Sequence, residues 1–452
     1  MRTLCDICNQ QELILGCCFG KKHALTIGSF RKYRSKIYLK LVPCDHEQIN
    51  SKWMGIMKTN RKILILIFIL SALLMSGCAT GHKRNPLPEA YGDMAQIPFI
   101  PNARFWGDTV PSGIQEKLAE MKEEIRETEP EAKYKPIDYL AISGGGANGA
   151  FGAGLLAGWT AAGNRPEFRI VTGISTGALI APFAFLGKEY DAKLKKLYTT
   201  TSTKDILEKR SLLSILTADS AADTKPMREL LEDAIDVKML EDIVVEHDKG
   251  RRLFVGTTNL DAKRPVIWNI GIIAKSGAPN ALQLVRDIMV ASASIPGAFT
   301  PIYIEVEADG HRYDEIHVDG GTSSQVFLYP ASLDMRWAMR QAGLKGKSRI
   351  YVIRNSRIEP DWKTVKPKII PILDNTISTL IRTQGMGDLY RIYLGAQRDG
   401  MDYNLSFIPS DFDEKPKEVF DPEYMGKLFD LGYQMTKNGY PWEKVPPGFE
   451  PP

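Results

Sequence analysis

The chain has 452 residues, 44% of them hydrophobic and 25% charged, with a formal net charge of +4. These are the proportions of a globular protein with room for one large domain or two ordinary ones. The charge is small for the length and no basic stripe is interleaved with aromatics, so there is no reason to expect a nucleic-acid partner.

All six cysteines lie at or before position 78: Cys5, Cys8, Cys17, Cys18, Cys44 and Cys78. The remainder of the chain therefore holds no disulfide and no thiolate metal site. Cys5 and Cys8, followed by Cys17 and Cys18, are spaced too loosely to specify zinc. Residues 57–78 begin with Lys58, Arg61 and Lys62, continue through an apolar run from Ile63 to Met75, and end in Ser76, Gly77 and Cys78. The run is short of the roughly twenty residues of a membrane span. The pattern resembles a bacterial lipoprotein signal peptide, in which Cys78 is lipidated and becomes the new N-terminus. Met75 stands where that pattern usually has leucine. Such a signal belongs at the start of a chain, so the expectation is a start at Met57 or Met54, with residues 1–56 an upstream over-extension. Ala79, rather than aspartate, after the cysteine points to a lipid anchor in the outer membrane of a bacterial envelope, facing the periplasm.

Residues 79–135 read as a Pro-, Gly- and polar-rich tether followed by a charged helical stretch over about 112–129. A strand-length apolar run, Pro136 to Ser143, opens the next segment. A glycine-rich helix follows over 149–163, then a strand over 168–175 and a helix from Thr176 with Pro182 as a kink. Further strands are expected at 251–260, 265–271, 315–321 and 349–355, with helices at 187–200, 224–236, 281–293 and 330–343. Buried-type strands alternating with helices predict an α/β layered domain over 136–360 with a largely parallel central sheet. Residues 361–452 predict a mostly helical extension packed on it, with helices at 369–398 and 421–437 and a short strand from Tyr403.

Three stretches carry chemistry. In "SGGGANGAFGAG", Gly144, Gly145, Gly146 and Gly149 lie between a strand and a helix. Glycines there let backbone N–H groups converge, beside a helix N-terminus, on a phosphate or on the oxygen of a tetrahedral acyl intermediate. The dinucleotide fingerprint that Gly144, Gly146 and Gly149 also fit lacks its acidic partner, and no lysine completes a P-loop. In "GISTG", Gly173, Ser175 and Gly177 form G-x-S-x-G between a strand and a helix, the setting of a nucleophilic serine. In "HVDGG", Asp319 ends a strand and Gly320 and Gly321 turn beside it.

In order and spacing these stretches resemble the patatin-like phospholipases over roughly residues 137–330, together with the block "ASASIPGAFTPI" at 291–302. The resemblance implies a three-layer α/β/α fold and a dyad of nucleophile Ser175 and proton acceptor Asp319. It implies an oxyanion hole from Gly144, Gly145, Gly146 and Gly149, with no metal or cofactor. The implied activity is hydrolysis of fatty-acyl esters of lipids, of the phospholipase A or lysophospholipase type. Membrane lipid or another acyl ester would be the substrate. Short-chain esterase or thioesterase activity, or lipid binding without catalysis, are the alternatives. Where the family usually has Arg or Lys just before the last glycine of the first motif, this chain has Asn148, which supplies no charge to a phosphate. Residues alone leave a rival for the proton: His317 shares a strand face with Asp319, and the two with Ser175 would make a triad.

Overall fold

A computed structural model describes residues 23–27, 39–43, 84–209, 220, 222–360, 362 and 364–450. The signal-like stretch 57–78, with Cys78, lies outside the described residues, as do the other five cysteines. His23–Ile27 and Leu39–Pro43 form an antiparallel pair of their own.

From residue 84 onward the chain builds one nine-stranded sheet. Its strands are β1 (Arg104–Trp106), β2 (Ile137–Ile142), β3 (Ile170–Ile174), β4 (Arg252–Asn259), β5 (Arg264–Asn269), β6 (Ile302–Ala308), β7 (His311–Asp319), β8 (Ser348–Arg354) and β9 (Asp402–Phe407). Five run parallel in the order β9-β8-β2-β3-β4. At β4 the sheet changes character: β5 and β7 both pair with it antiparallel, β6 continues from β7, and β1 from β5. The sequence explains the split. All six residues of β2 are buried, as a strand covered on both faces requires. In β6 the buried Ile302, Ile304 and Val306 alternate with the exposed Glu305 and Glu307, the pattern of a sheet with one face to water.

The helices are α1 (Ile114–Thr128), α2 (Gly149–Ala161), α3 (Thr176–Leu186), α4 (Asp191–Thr200), α5 (Lys225–Ala234), α6 (Val237–Asp248), α7 (Ile270–Lys275), α8 (Ala281–Ser292), α9 (Met335–Gln341), α10 (Ile369–Asp399) and α11 (Pro422–Lys437). They cover the sheet on both sides. Leu140 and Ile142 of β2 join a core with α2, α3 and α8, while Tyr139 and Ala141 join one with α1, α9 and α10. This is the expected α/β/α layering around a largely parallel sheet.

Several boundaries differ from the sequence reading. Residues 84–106 are not a tether. Arg84 pairs with Asp261 and Asp314, Ala95, Ile97, Ile100 and Ala103 are core residues, and β1 joins the sheet. Beyond position 360 the extension expected to pack on the domain also supplies a strand to its sheet. β9 extends the parallel sheet beside β8, and α11 presses on α2 at Gly154 and Gly158, where an added Cβ would sit 2.0 Å from Phe429 O and 2.1 Å from Tyr433 O. The strand expected over 265–271 ends at Asn269, whose side chain caps α7 by accepting from Ile272 N. The helix expected over 330–343 starts only after Asp334, which caps α9. Pro182 lies within a continuous α3.

Candidate active site

Between β3 and α3 there is room for one residue, Ser175. It holds φ 55° and ψ −126°, a region that costs a non-glycine residue about 1–3 kcal/mol and persists only where surroundings enforce it. Here they do. Its N–H donates to Ser292 Oγ at 3.0 Å, and the Ser292 hydroxyl donates to Gly256 O at 2.7 Å. Gly173 and Gly177 let the backbone close on itself: a Cβ on Gly173 would lie 2.3 Å from Gly177 O, and one on Gly177 would lie 2.2 Å from Ile142 O.

Asp319 ends β7 opposite Thr257 of β4, and its N–H donates to Ser294 O at 2.8 Å. Its carboxylate accepts the N–H of Gly321 at 2.7 Å. Burial pushes the Asp319 carboxyl up to about 7, against the opposing pull of the neighbouring Ser175 hydroxyl and of the Gly321 N–H. Gly320 makes room for this: a Cβ there would meet Gly256 O at 2.4 Å.

The glycine loop leaves β2 at Ser143 and is clamped by Asn355. The Asn355 N–H donates to Ser143 Oγ, its Nδ2 donates to Ser143 O, and its Oδ1 accepts from Gly152 N. Gly145, at φ 158°, sits where a Cβ would meet Asn355 O at 2.2 Å, so no other residue fits. The four glycines assigned to an oxyanion hole divide into two pairs. The Gly144 amide donates to Gln325 O at 3.0 Å, and the Gly149 amide turns back to the Gly146 and Ala147 carbonyls, so neither is open to a substrate oxygen. Their contribution is space: a Cβ on Gly144 would stand 3.2 Å from Ser175 Cβ, and one on Gly149 would stand 2.2 Å from Thr176 Oγ1. The Gly145 and Gly146 amides have no protein acceptor among the described residues.

His317 faces elsewhere. Its Nδ1 lies 2.9 Å from Thr257 Oγ1, its Nε2 lies 3.1 Å from Glu315 Oε2, and its ring meets Trp268 edge-on. Arg104 grips the same Glu315 with two hydrogen bonds. Burial pushes the imidazole pKa down, with Glu315 opposing. Asn148 Oδ1 accepts the Tyr424 hydroxyl at 2.8 Å.

Sequence reasoning missed Ser292, Gln325 and Asn355. Ser292 lies within the quoted 291–302 block, which was the one available signal. Among the described residues, no group of three or more His, Cys, Asp and Glu side chains is placed to hold a metal ion. Ser175 and Asp319 are only 8% and 5% exposed. A cavity of about 1090 Å³ opens beside them at Gly144, Gly145 and Gln325, and Arg354, Arg357 and Arg382 lie on its wall. A second, of about 600 Å³, reaches Ile174, Gly256 and Gly320 from the other side.

A strained serine on a strand–turn–helix elbow, a buried carboxylate near it and two loop amides without a protein acceptor among the described residues make a candidate serine site of the α/β class. Residues 140–332 match the family model described as patatin-like phospholipase, so this segment carries a patatin-like phospholipase domain. The chain is similar to an Escherichia coli protein described as cUMP-AMP-activated phospholipase, with 29% identity over 190 residues. That match spans 40% of this chain and 53% of the relative, about half its length. Among solved structures, VipD from Legionella pneumophila aligns at 13% identity and TM-score 0.34, covering 68% of this chain and 66% of its own. Human GIVD cytosolic phospholipase A2 aligns at 10% identity and TM-score 0.31, covering 74% and 64%.

Proposed function

We propose that the chain is a serine acyl hydrolase cleaving fatty-acyl esters of lipids, of the phospholipase A or lysophospholipase type, through a Ser175–Asp319 dyad. The observation that carries this reading is the strained elbow that holds Ser175 next to a buried carboxylate, Asp319, raised to about 7. An aspartate at its ordinary value is a poor base for a hydroxyl; one raised near neutrality is matched to the task. Ser175 Oγ attacks the ester carbonyl as Asp319 takes its proton. The Gly145 and Gly146 amides receive the negative oxygen of the tetrahedral intermediate. Asp319 returns the proton to the departing alcohol or lysolipid, then takes one from the water that releases the fatty acid. His317 has no part in the transfer, since both its nitrogens are engaged by Thr257 and Glu315.

The cavity wall carries Arg354, Arg357, Arg382 and Lys415 together with Glu359, Asp413 and Glu414, so its charge does not by itself choose between a phosphate-bearing lipid and a neutral ester. The relative described as a phospholipase supports the former. The basic, apolar and small-residue order of 57–78 supports a lipid anchor at Cys78 in the bacterial envelope, on the periplasmic face of the outer membrane. Cys78→Ala should abolish incorporation of labelled palmitate, and labelling that persists would remove the anchor from the proposal. For the chemistry, a fluorophosphonate probe should label Ser175, and the protein should release fatty acid from phospholipids or lysophospholipids in a panel with acylglycerols and short esters. A protein that neither takes the probe nor hydrolyses any ester of the panel would leave lipid binding without catalysis.

A further inference from the structure

Helix α10 changes character along its length. In its second half most apolar residues face inward: Leu389, Ile392, Tyr393 and Ala396 are buried, while Leu394 is exposed. In its first half the arrangement is reversed. Asn375, Ser378, Thr379 and Arg382 line the cavity that begins at Gly144 and Gly145, while Ile369, Ile372, Leu373, Ile377 and Leu380 are exposed. These five recur at helical spacing and so form one face. Ile369 is 77% exposed, Leu380 64%, and Trp362, just ahead of the helix, 99%.

A surface helix of a globular protein turns its apolar stripe to the core. A contiguous apolar face left in water, rimmed by polar residues, marks a surface for a partner or a membrane. Charge chooses between them. From Trp362 to Leu380 the charged residues are Lys363, Lys366, Lys368 and Asp374, so the segment is net positive. An apolar helix face flanked by tryptophan and lysines is complementary to an anionic lipid surface: the apolar side chains enter the acyl boundary and the ammonium groups meet the headgroups. No helix of the described residues is long and apolar enough to cross a membrane, so α10 would lie in the plane of the interface.

We propose that Trp362 and the outer face of α10 from Ile369 to Leu380 dock the protein on an anionic lipid surface, with the cavity beside the glycine loop opening towards the lipid. The purpose of this docking rests on the lipid-hydrolase reading; the docking itself does not require catalysis. Trp362 both lines that cavity and stands in solvent, so seating it with the outer face brings this rim of the cavity to the interface.

Hydrogen exchange read by mass spectrometry tests this on the full chain, with vesicles of phosphatidylcholine alone or mixed with phosphatidylglycerol. Peptides covering 362–381 should exchange at least about fivefold more slowly with the mixed vesicles, and less so with phosphatidylcholine alone or in high salt, where headgroup attraction is screened. Ser175→Ala should show the same protection. A variant combining Ile369→Gln, Leu373→Gln, Ile377→Gln and Leu380→Gln should lose it, yet hydrolyse a soluble short ester within about twofold of the parent, as expected of surface changes away from the site. Unprotected 362–381 peptides in the parent with either vesicle would overturn the proposal, even if the protein hydrolyses esters. Protection that instead appears without lipid, together with a dimer in sedimentation, would assign the face to a second copy and also overturn it. Vesicle-dependent protection in a protein that hydrolyses no ester would uphold the docking and sink the hydrolase reading.

Discussion

Asp319 and His317 stand two residues apart on β7, with side chains almost wholly closed to water, and their surroundings assign them opposite parts. Burial acts on both in the same sense, favouring the neutral form: it raises the carboxyl and lowers the imidazole. What separates them is the company each keeps. His317 sits in a closed network of Thr257, Glu315 and Arg104 beneath Trp268, with both ring nitrogens satisfied. Asp319 accepts the Gly321 N–H, lies near the Ser175 hydroxyl, and has no cation acting on it among the described residues. A buried carboxylate with a paired cation is locked as an anion; one without is left close to the pH at which it exchanges protons. Strand alternation puts both residues on one face, but it is partners that decide which of them is a base.

The largest test of that contrast is removal of the dyad. Ser175→Ala and Asp319→Asn should each lower kcat/KM on an activated ester by about a thousandfold or more, and the double variant should be scarcely worse than either single, because members of one catalytic unit fail together. Losses that multiply in the double variant would mean that the two act separately.

The pH dependence is the next largest. With Asp319 raised to about 7, kcat/KM should fall with falling pH, approaching about tenfold per unit well below neutrality and reaching roughly fiftyfold between pH 7 and 5. Stability should move the other way. The folded carboxyl holds its proton up to about 7 while the unfolded one releases it near its ordinary value of 3.8, so between these values the folded state binds more protons and loses stability as pH rises. Asp319→Asn is spared that loss and should melt at progressively higher temperature than the parent from pH 4 to 7. A difference in melting temperature that stays flat over this range would place the Asp319 pKa outside it.

Ser292→Ala should have an intermediate effect. It leaves the Ser175 N–H without its 3.0 Å acceptor and frees the strained elbow. We expect kcat about 10- to 100-fold lower, on the order of 1.4–2.8 kcal/mol of barrier, with KM little changed. The rate of fluorophosphonate labelling should fall in step, and unchanged labelling would show that the elbow holds its shape without this hydrogen bond.

Ser175 and Asp319 were legible because close backbone approach demands glycine at fixed offsets, and Gly173, Gly177, Gly320 and Gly321 print that demand into the sequence. Ser292 and Asn355 carry no such print. Each acts across a long sequence separation, on Ser175 and on Ser143, and a lone serine or asparagine beside a strand or helix end has many other uses. The same reason hid the split within the glycine loop: whether Gly144 N–H is open depends on Gln325 O, a contact that no local pattern encodes. Residues 84–106 misled because proline and glycine punctuate them, while Ala95, Ile97, Ile100 and Ala103 are too irregularly spaced to show a period. β6 shows the opposite failure: its alternation was readable but went unread beside the proline-containing block before it.

The smallest expected effect on activity is the one that decides between the two neighbours. In a Ser–His–Asp triad, His317→Ala removes the base, and activity should fall a thousandfold or more. In the dyad it removes a residue that touches neither Ser175 nor the glycine loop, and kcat/KM should stay within about tenfold, or roughly 1.4 kcal/mol of barrier. The loss should appear in stability instead. Without the imidazole, Thr257 Oγ1 keeps Trp268 Nε1 and Glu315 Oε2 keeps Arg104 Nη1, so each loses one of two buried partners, at a cost on the order of 1 kcal/mol per lost hydrogen bond. Arg104 still holds Glu315, so the fold has a means of tolerating the change. The expected signature is therefore a lower melting temperature with catalysis nearly intact at a temperature where the variant is folded. Asp319→Asn cannot make this distinction, since both schemes need that carboxylate. Activity that collapses in folded His317→Ala would return the proton to histidine and require the His317 network to rearrange when substrate binds.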